Sequence, residues 1–294
     1  MADLMQFVLT GITVGLVYSL IALGFTFIWK SSSVANLALG QMVLLFSWIA
    51  YGTMHQAGMP FWLGLPVTIA AAALMGWILE RVVLRPLIGQ PILSLITVTL
   101  GVAFIFEGLV SMFWPISTAA MPKFIPDEAV QVFGAVVSQE YLWAAGIALV
   151  LFILVSIFFR YHKMGVAMRA TADDQMAVWA CGIPVTKIFS VSWMFAGALA
   201  AIGGVLMSSI GGITHGLVET GLKSFSVVIL GGLDSFLGAM IAGPIIGLAE
   251  NLGGGYLTQY TWPGIKDVIP FIIIIIVLFI KPYGLFGQVR IERI

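Results

Sequence analysis

The sequence predicts an all-α, polytopic membrane helix bundle, and three observations carry that prediction. Of its 294 residues, 61% are hydrophobic and 9% charged, whereas soluble domains carry about 25% charged residues. The mean hydropathy is +1.09. Apolar runs of about 20 residues, enough to cross about 30 Å of hydrocarbon, recur along the whole chain. A fold in water could not cover its surface with so little charge, so the bilayer is the solvent for most of it.

Seven segments reach spanning length: roughly 6–29, 37–56, 61–79, 91–114, 141–159, 187–210 and 264–281. The first follows Asp3 with no Lys or Arg before it. A cleaved signal peptide wants a basic start and a shorter apolar core, so this reads as a retained membrane helix. The spacings Gly11/Gly15 and Gly243/Gly247 let helices approach closely and are read as packing. The second span opens with Asn36, Gly40 and Gln41. Asn36 reads as a helix N-cap and Gln41 as an interhelical hydrogen bond, or both amides face a solute. Glu107 falls deep in the fourth span. A lone carboxylate there is costly, so it faces the bundle interior, finds a partner or is protonated. It either lines a solute route or makes an interhelical contact.

Two stretches between spans stand out. In 160–186, Thr171-Ala-Asp-Asp174 fits a capping box, with Asp173 and Asp174 at the positive helix end and Gly182 and Pro184 as the stop. This predicts a short helix over about 172–181, with Ala177, Trp179, Ala180 and Cys181 as apolar contact surface. The region 224–251 predicts a re-entrant or discontinuous hairpin. Its first arm is too short to cross, Gly231, Gly232 and Asp234 break it, and Gly243 and Pro244 interrupt the second arm. Broken backbone at membrane depth is tolerated only inside protein or beside a water-filled cavity. Asp234 is expected to cap the second arm on the N–H groups of Phe236 and Leu237. Glu250 is expected to be interfacial.

Basic residues set the orientation. Lys30, Arg81, Arg85, Arg160, Lys163, Arg169, Lys187, Lys281, Arg290 and Arg293 fall on one side, against Lys123, Lys223 and Lys266 on the other. The ten mark the cytoplasmic side. The N-terminus is then outside and the C-terminus inside, and the loop 115–140, acidic through Asp127 and Glu128, is external.

Several function classes are excluded. A net charge of zero and no basic run beyond two residues argue against nucleic acid. Cys181 is the sole cysteine, and His55, His162 and His215 lie far apart, off metal-ligand spacing. The nearest look-alike to a phosphate loop, GFTFIWKS at 24–31, has Trp29 where a glycine is required. No H-E-x-x-H or G-x-S-x-G occurs, and no nucleophile, carboxylate pair or metal set assembles. The expectation is a non-enzyme that binds no cofactor or metal itself.

Four stretches carry a family resemblance: GITVGLVYSLIALGFTFIW (11–29), GVAMRATADDQMAVWACGI (165–183), SVVILGGLDSFLGAMIAGPIIGLAE (226–250) and LFIKPYGLFG (278–287). Together they resemble the membrane permeases of branched-chain amino acid ABC importers, the LivH type, over nearly the whole chain. The resemblance implies a single transmembrane permease domain, 1–294, in a bacterial inner membrane. It implies a second, LivM-type permease, two cytoplasmic ATP-binding subunits that use ATP and Mg, and a periplasmic binding protein. It implies that 165–183 seats in an ATPase cleft, with Gly165, Arg169, Ala170, Asp174, Ala177 and Gly182 in that coupling role. Substrate would pass near Asn36, Gln41, Glu107 and Asp234 by alternating access. Where the family pattern reads N-F-A-H-G-E, this chain has Asn36-Leu37-Ala38-Leu39-Gly40-Gln41. A histidine and a carboxylate are replaced, so related solutes such as urea, short amides or aromatic acids stand beside branched-chain amino acids. The alternative is a self-contained channel or ion-coupled carrier, a class the broken hairpin also suits.

Overall fold

Apolar helices that cannot bury themselves against water must bury against one another or face lipid, and the computed structural model shows both arrangements. It describes residues 2–124, 128–132, 134–262 and 264–287. Two long helices, α1 (Ala2–Ser32) and α8 (Val185–Gly211), form the centre. Around them lie α2 (Leu39–Tyr51), α3 (Phe61–Ile78), α4 (Ile92–Phe113), α5 (Gln139–Tyr161), α9 (Gly216–Gly231), α10 (Phe236–Leu257) and α11 (Ile265–Ile280). Two short helices, α6 (Lys163–Asp173) and α7 (Gln175–Ala180), occupy the link between α5 and α8. In their most apolar windows 72% of α8 is buried but only 17% of α4. The outward row on α4 includes Phe104, Ile105 and Met112, and that on α5 includes Val150, Leu154 and Ile157.

Six described helices are long and apolar enough to cross a membrane, judged by length and composition: 3–32, 61–87, 93–113, 139–161, 185–211 and 236–257. Five coincide with expected spans. The other two expected spans are shorter. Segment 37–56 becomes the 13-residue α2 continued by a π turn, Gly52–Gln56. Segment 264–281 becomes the 16-residue α11.

The hairpin expected at 224–251 breaks at 232–235, between Gly231 and Phe236, as its glycines suggest, and needs correction in its arms. The first arm, α9, begins earlier, at Gly216, and the second arm, α10, runs unbroken through Pro244. Proline removes one helical N–H and orphans the carbonyl four residues before it. Here that carbonyl, Met240 O, accepts from Ser19 Oγ of α1 at 3.3 Å, and Ser19 also reaches Ala239 O at 2.9 Å. The neighbouring helix thus repairs the break. The turn between the arms lies at the same end of the bundle as Lys30 and the tail 281–287. Its first helical cap is Ser235, whose Oγ accepts from Gly238 N at 2.9 Å, and not Asp234.

The irregular backbone sits elsewhere. After α1 the chain turns at Ser33 (φ 55°) and runs without helix or strand to a turn at 37–38, burying Val34, Asn36 and Ala38. Gly40 packs against Val218 and Gly221, so the first turn of α2 meets the first turns of α9. Leu217 of α9 shares a cavity wall with Tyr18, near the middle of α1. Both helices therefore start part-way along the bundle. Thr99 Oγ1 of α4 accepts from Leu37 N and reaches Ala35 O, each at 3.4 Å, which supplies partners for the exposed backbone. Asn36 is not the cap of α2. Its Oδ1 accepts from Ala38 N at 3.1 Å, within the turn that precedes the helix.

Two further departures are local. The expected single helix at 172–181 is the pair α6 and α7, broken at Asp174. Thr171 Oγ1 bonds Ala167 O inside α6, and Asp174 Oδ1 caps α7 by accepting from Met176 N and Ala177 N at 2.8 and 3.0 Å. The loop 115–140 holds a small antiparallel ribbon, β1 (Ala129–Val132) with β2 (Ala135–Ser138). Asp127, Arg290 and Arg293 lie outside the described residues.

The α1–α10 crossing unites the two small-residue spacings. A Cβ on Gly243 would overlap Gly15 O and Ser19 Oγ, and one on Gly247 would come within 2.6 Å of Gly15 Cα. Replacing Gly243 with Val is expected to destabilise the bundle by about 1–3 kcal/mol or more through overpacking. Gly146→Ala, at a position with open space around it, leaves stability unchanged or slightly raised. Thermal unfolding of the detergent-solubilised protein reads both.

Candidate functional site

Polar groups in this apolar chain gather in three places. The first is the seam between α2 and α4. Gln41 Nε2 donates to Glu107 Oε2 at 3.4 Å, and Gln41 Oε1 is buried with no partner among the described residues. Asn36 lies buried on the same seam, with Thr99 of α4 beside the irregular segment that leads into α2. Three of the four expected route residues, Asn36, Gln41 and Glu107, are thus brought to one seam. The fourth, Asp234, is elsewhere.

The second place is the end that carries the basic residues. A cavity of about 410 Å³ is lined by Lys30, Ser33, Thr171, Ala172, Asp173, Gln175 and Asp234. Lys30 sits over the Phe236 ring, 5.1 Å from its centroid. Above this cavity, Phe27 of α1 packs on Phe195 of α8 at 5.2 Å and on Phe159 of α5 at 4.5 Å, and Phe159 packs on Phe236 of α10 at 4.0 Å. Four helices meet in that aromatic knot. Nearby, Arg85 makes a bidentate pair with buried Glu80, at 3.0 and 2.8 Å, and Ser190 of α8 donates to the same carboxylate at 2.5 Å. The sequence reading missed this link. The π turn Leu79–Leu84 is what lets residues five apart face each other.

The helices α6 and α7 are fastened to this end. His162 Nδ1 caps α6 by accepting from Met164 N at 3.2 Å. Gly165 is buried against Phe158 and Phe159, where a Cβ would not fit. Arg169 does not project outward. Its Nη1 donates to Phe159 O, which ties α6 to the end of α5 beside the aromatic knot. Ala170 packs on the core and Val178 anchors α7. Ala177 is exposed and Gly182 takes the left-handed φ of 78° that closes α7. The exposed face is apolar: Met176 and Trp179 are 72% and 68% exposed. The six expected coupling residues therefore divide into those that hold the element and those that lie on its surface.

The tail completes this end. Leu285 N donates to Leu230 O at 2.8 Å and Phe286 N to Gly231 O at 3.1 Å. These bonds satisfy the last carbonyls of α9. The motifs GGLDS and KPYGLFG, far apart in sequence, touch for that reason.

The third place is the opposite end, and the sequence reading missed it. Lys223 of α9, Glu250 of α10 and Asp267 of α11 converge, with Lys223 Nζ 2.7 Å from both Glu250 Oε1 and Asp267 Oδ1. Lys223 is 6% exposed and Glu250 5%. Lys223 is therefore not a loop cation, and Glu250 is buried between helices. The available signal was the appearance of three charges inside apolar stretches, since such groups pair with one another. The cluster lines a cavity of about 560 Å³ between α1, α5, α8, α9, α10 and α11. Between the two end cavities, Val17, Leu20, Ile21, Ala22 and Leu23 of α1 are fully enclosed. No group of three metal-ligating side chains occurs among the described residues.

A bundle with lipid-facing outer helices, polar cavities at opposite ends and a closed waist is a multi-pass membrane protein. Residues 7–278 match the family described as branched-chain amino acid transport system / permease component, and the chain belongs to that family. It is 29% identical to the high-affinity branched-chain amino acid transport system permease protein LivH of Escherichia coli K12, over 99% of this chain and 97% of that one. It is 28% identical to BraD of Pseudomonas aeruginosa, over 99% and 98%. A probable LivH of Methanocaldococcus jannaschii is 30% identical over 91% and 88%. Among solved structures, PsaBC from Streptococcus pneumoniae in complex with Fab shares the fold, with a TM-score of 0.51 and 17% identity over 96% of this chain and 93% of that one.

Removing Lys223 strands two carboxylates, one of them deeply buried. Lys223→Met is expected to cost about 3–5 kcal/mol, the range for breaking a buried pair from one side. Adding Glu250→Leu removes the stranded charge and restores part of the loss. Unfolding midpoints in detergent check both variants.

Proposed function

We propose that the chain is the membrane-spanning permease subunit of a bacterial ATP-driven importer for branched-chain amino acids or a related small solute. It sits in the inner membrane with its N-terminus outside and its C-terminus inside, crossing about seven times. The curated relatives named above are described as branched-chain amino acid transport permeases, which supports the solute class. The observation that carries the reading is the α6–α7 element. It is rigidly fastened at one end of the bundle yet presents an apolar face at Met176 and Trp179, a surface that suits a groove in a partner protein.

In this reading, two cytoplasmic ATP-binding subunits hold ATP and Mg and move against α7. Asp174 and Gly182 set the ends of α7, and Ala177 lies on its contact face. Gly165, Arg169 and Ala170 pass the movement through Phe159 to the aromatic knot of α1, α5, α8 and α10. A shift there tilts the enclosed waist, and the solute path alternates between outer and inner access. A second, LivM-type permease supplies the other wall of the path. The α2–α4 seam with Asn36, Gln41 and Glu107 faces that path, and a periplasmic binding protein delivers the solute. Asp234, beside Lys30 in the inner cavity, acts where substrate leaves or where α7 meets the α9–α10 turn.

The enclosed waist argues against an open channel within one chain. The buried cluster at Lys223 favours an ion-coupled carrier as the second reading, because intramembrane charges mark ion pathways in that class. Proteoliposomes holding the purified chain alone separate the two: the importer subunit gives no solute flux without its partners, and the carrier does.

Cys181, the sole cysteine, is exposed beside α7 and reports the orientation. A membrane-impermeant maleimide is expected to label it in inside-out vesicles and not in intact spheroplasts. Labelling from outside overturns the orientation and the coupling role together. Trp179→Glu is expected to lower ATP-dependent uptake at least about tenfold, the scale of a lost hot-spot aromatic, while membrane insertion and yield persist.

A further inference from the structure

A second cavity at the basic end, of about 200 Å³, lies where the close of α3, the start of α4 and the first turns of α8 meet. Its depth is apolar. Val34, Leu84, Phe189 and Trp193, all buried, line it together with the half-buried Leu95. A smaller void shares the Leu84 and Trp193 walls and adds Leu79, Val83 and Val102. The rim is polar, with Ser33, Arg85, Gln90 and Gln175, and it opens past the exposed residues 88–90. A cavity of this size exceeds the about 150 Å³ at which apolar walls already take up a benzene-sized molecule. Polar rim and apolar depth together match an amphiphile.

The rim also holds a committed donor. Arg85 meets the Glu80 carboxylate side-on, through Nε at 3.0 Å and Nη2 at 2.8 Å. That geometry turns Nη1 away from Glu80, and Nη1 makes no hydrogen bond among the described residues. The Arg85 side chain is 33% exposed. Guanidinium N–H groups are suited to phosphate oxygens. Lys187, exposed, lies one turn before Ser190, which bonds the same carboxylate. With Arg81 and Arg85 it leaves this patch cationic despite Glu80.

The depth in the membrane is marked as well. Arg81 sits over the Trp77 ring, 5.2 Å from its centroid, and such Trp and Arg anchors belong at the headgroup level. The helices that flank the mouth turn apolar side chains outward, Leu74 on α3 and Leu93 on α4 among them. The amphiphile at hand on that surface is membrane lipid, and basic pockets between membrane helices take lipid headgroups.

We propose that this cavity is a phospholipid site. The lipid phosphate accepts from Arg85 Nη1 at the rim, and one acyl chain enters between Leu84, Leu95, Phe189 and Trp193. Gln175, the first residue of α7, stands on the same rim and donates to Ser31 O at 3.5 Å, so a lipid bound there touches the α6–α7 element. The inference needs only that the chain lies in a membrane, and it stands apart from the importer reading.

The test places the full-length protein in lipid nanodiscs with two photoactivatable probes, followed by peptide mapping. One is phosphatidylglycerol with a diazirine on an acyl chain. The other is a diacylglycerol with the same chain and no phosphate. Lipid that merely surrounds the bundle labels exposed residues such as Leu93 and Phe104. A seated chain is expected to label the buried Phe189 and Trp193 as well; labelling confined to the exposed residues overturns the site, whatever any variant does. Leu95→Trp, which fills the cavity, is expected to abolish labelling at Phe189 and Trp193 and to keep it at Phe104. Persistence at the buried pair overturns the proposal. Arg85→Lys keeps a cation beside Glu80 but loses the free N–H pair. It should weaken the phosphatidylglycerol probe at limiting dose by about tenfold, the scale of a lost charge-assisted hydrogen bond, and leave the diacylglycerol unchanged. An equal response of both probes overturns the phosphate contact. Excess inorganic phosphate is expected to leave labelling unchanged, and displacement of the probe by it would assign the rim to a free anion instead.

Discussion

Hydrocarbon offers no hydrogen bonds, so every backbone polar group at membrane depth must be satisfied from within the protein. This constraint organises the bundle. It explains why the irregular segment 33–38 runs against Thr99, and why Asn36 folds its side chain back on Ala38 N. It explains why Pro244 is allowed in α10, where Ser19 of the neighbouring helix takes up the freed carbonyl. It also explains the tail, whose N–H groups close the end of α9. Each break in regular structure is paired with a particular donor or acceptor on another element. Breaks so supported are also where helices begin part-way along the bundle, which opens polar backbone and small residues to the interior.

The same pairing logic governs charge. Glu80 is held by Arg85 and Ser190, Glu250 by Lys223, and Glu107 by Gln41. These groups tie α3 to α8, α9 to α10 and α11, and α2 to α4. A buried ion pair adds little net stability compared with an apolar pair of equal size. The Lys223 cluster lines a cavity of about 560 Å³ at the end of the bundle opposite the tail.

The two ends of the molecule are mechanically unlike. One end is a floor of short elements, α6, α7, the α9–α10 turn and the tail, each fixed by specific backbone bonds. The other is a wider polar cavity between helix ends. A closed aliphatic stretch of α1 separates them. The aromatic knot of Phe27, Phe159, Phe195 and Phe236 lies where the floor meets the long helices. Interfaces packed this densely shift between discrete arrangements more readily than they deform, which suits a subunit that opens to one side at a time.

The sequence by itself determined the membrane class, five long helices, the basic end and the family. These follow from local quantities: apolar length, the distribution of Lys and Arg, and contiguous motifs. In 160–186 the stop at Gly182 was legible, because it acts on the nearest backbone, but the cap fell at Asp174 and not at Thr171. What only the tertiary structure decided were the partners. Pro244 read as a break because proline's missing N–H is local, whereas its repair comes from Ser19, more than 200 residues away. Lys223 and Glu250 read as loop and interfacial charges because each was weighed alone, while their burial depends on α9, α10 and α11 converging. Arg169 read as a basic loop residue in a coupling role, and only the fold placed Phe159 O beside it. Hydrogen bonds and ion pairs between distant segments leave no periodic trace in a single chain, so they emerge only when the helices are packed.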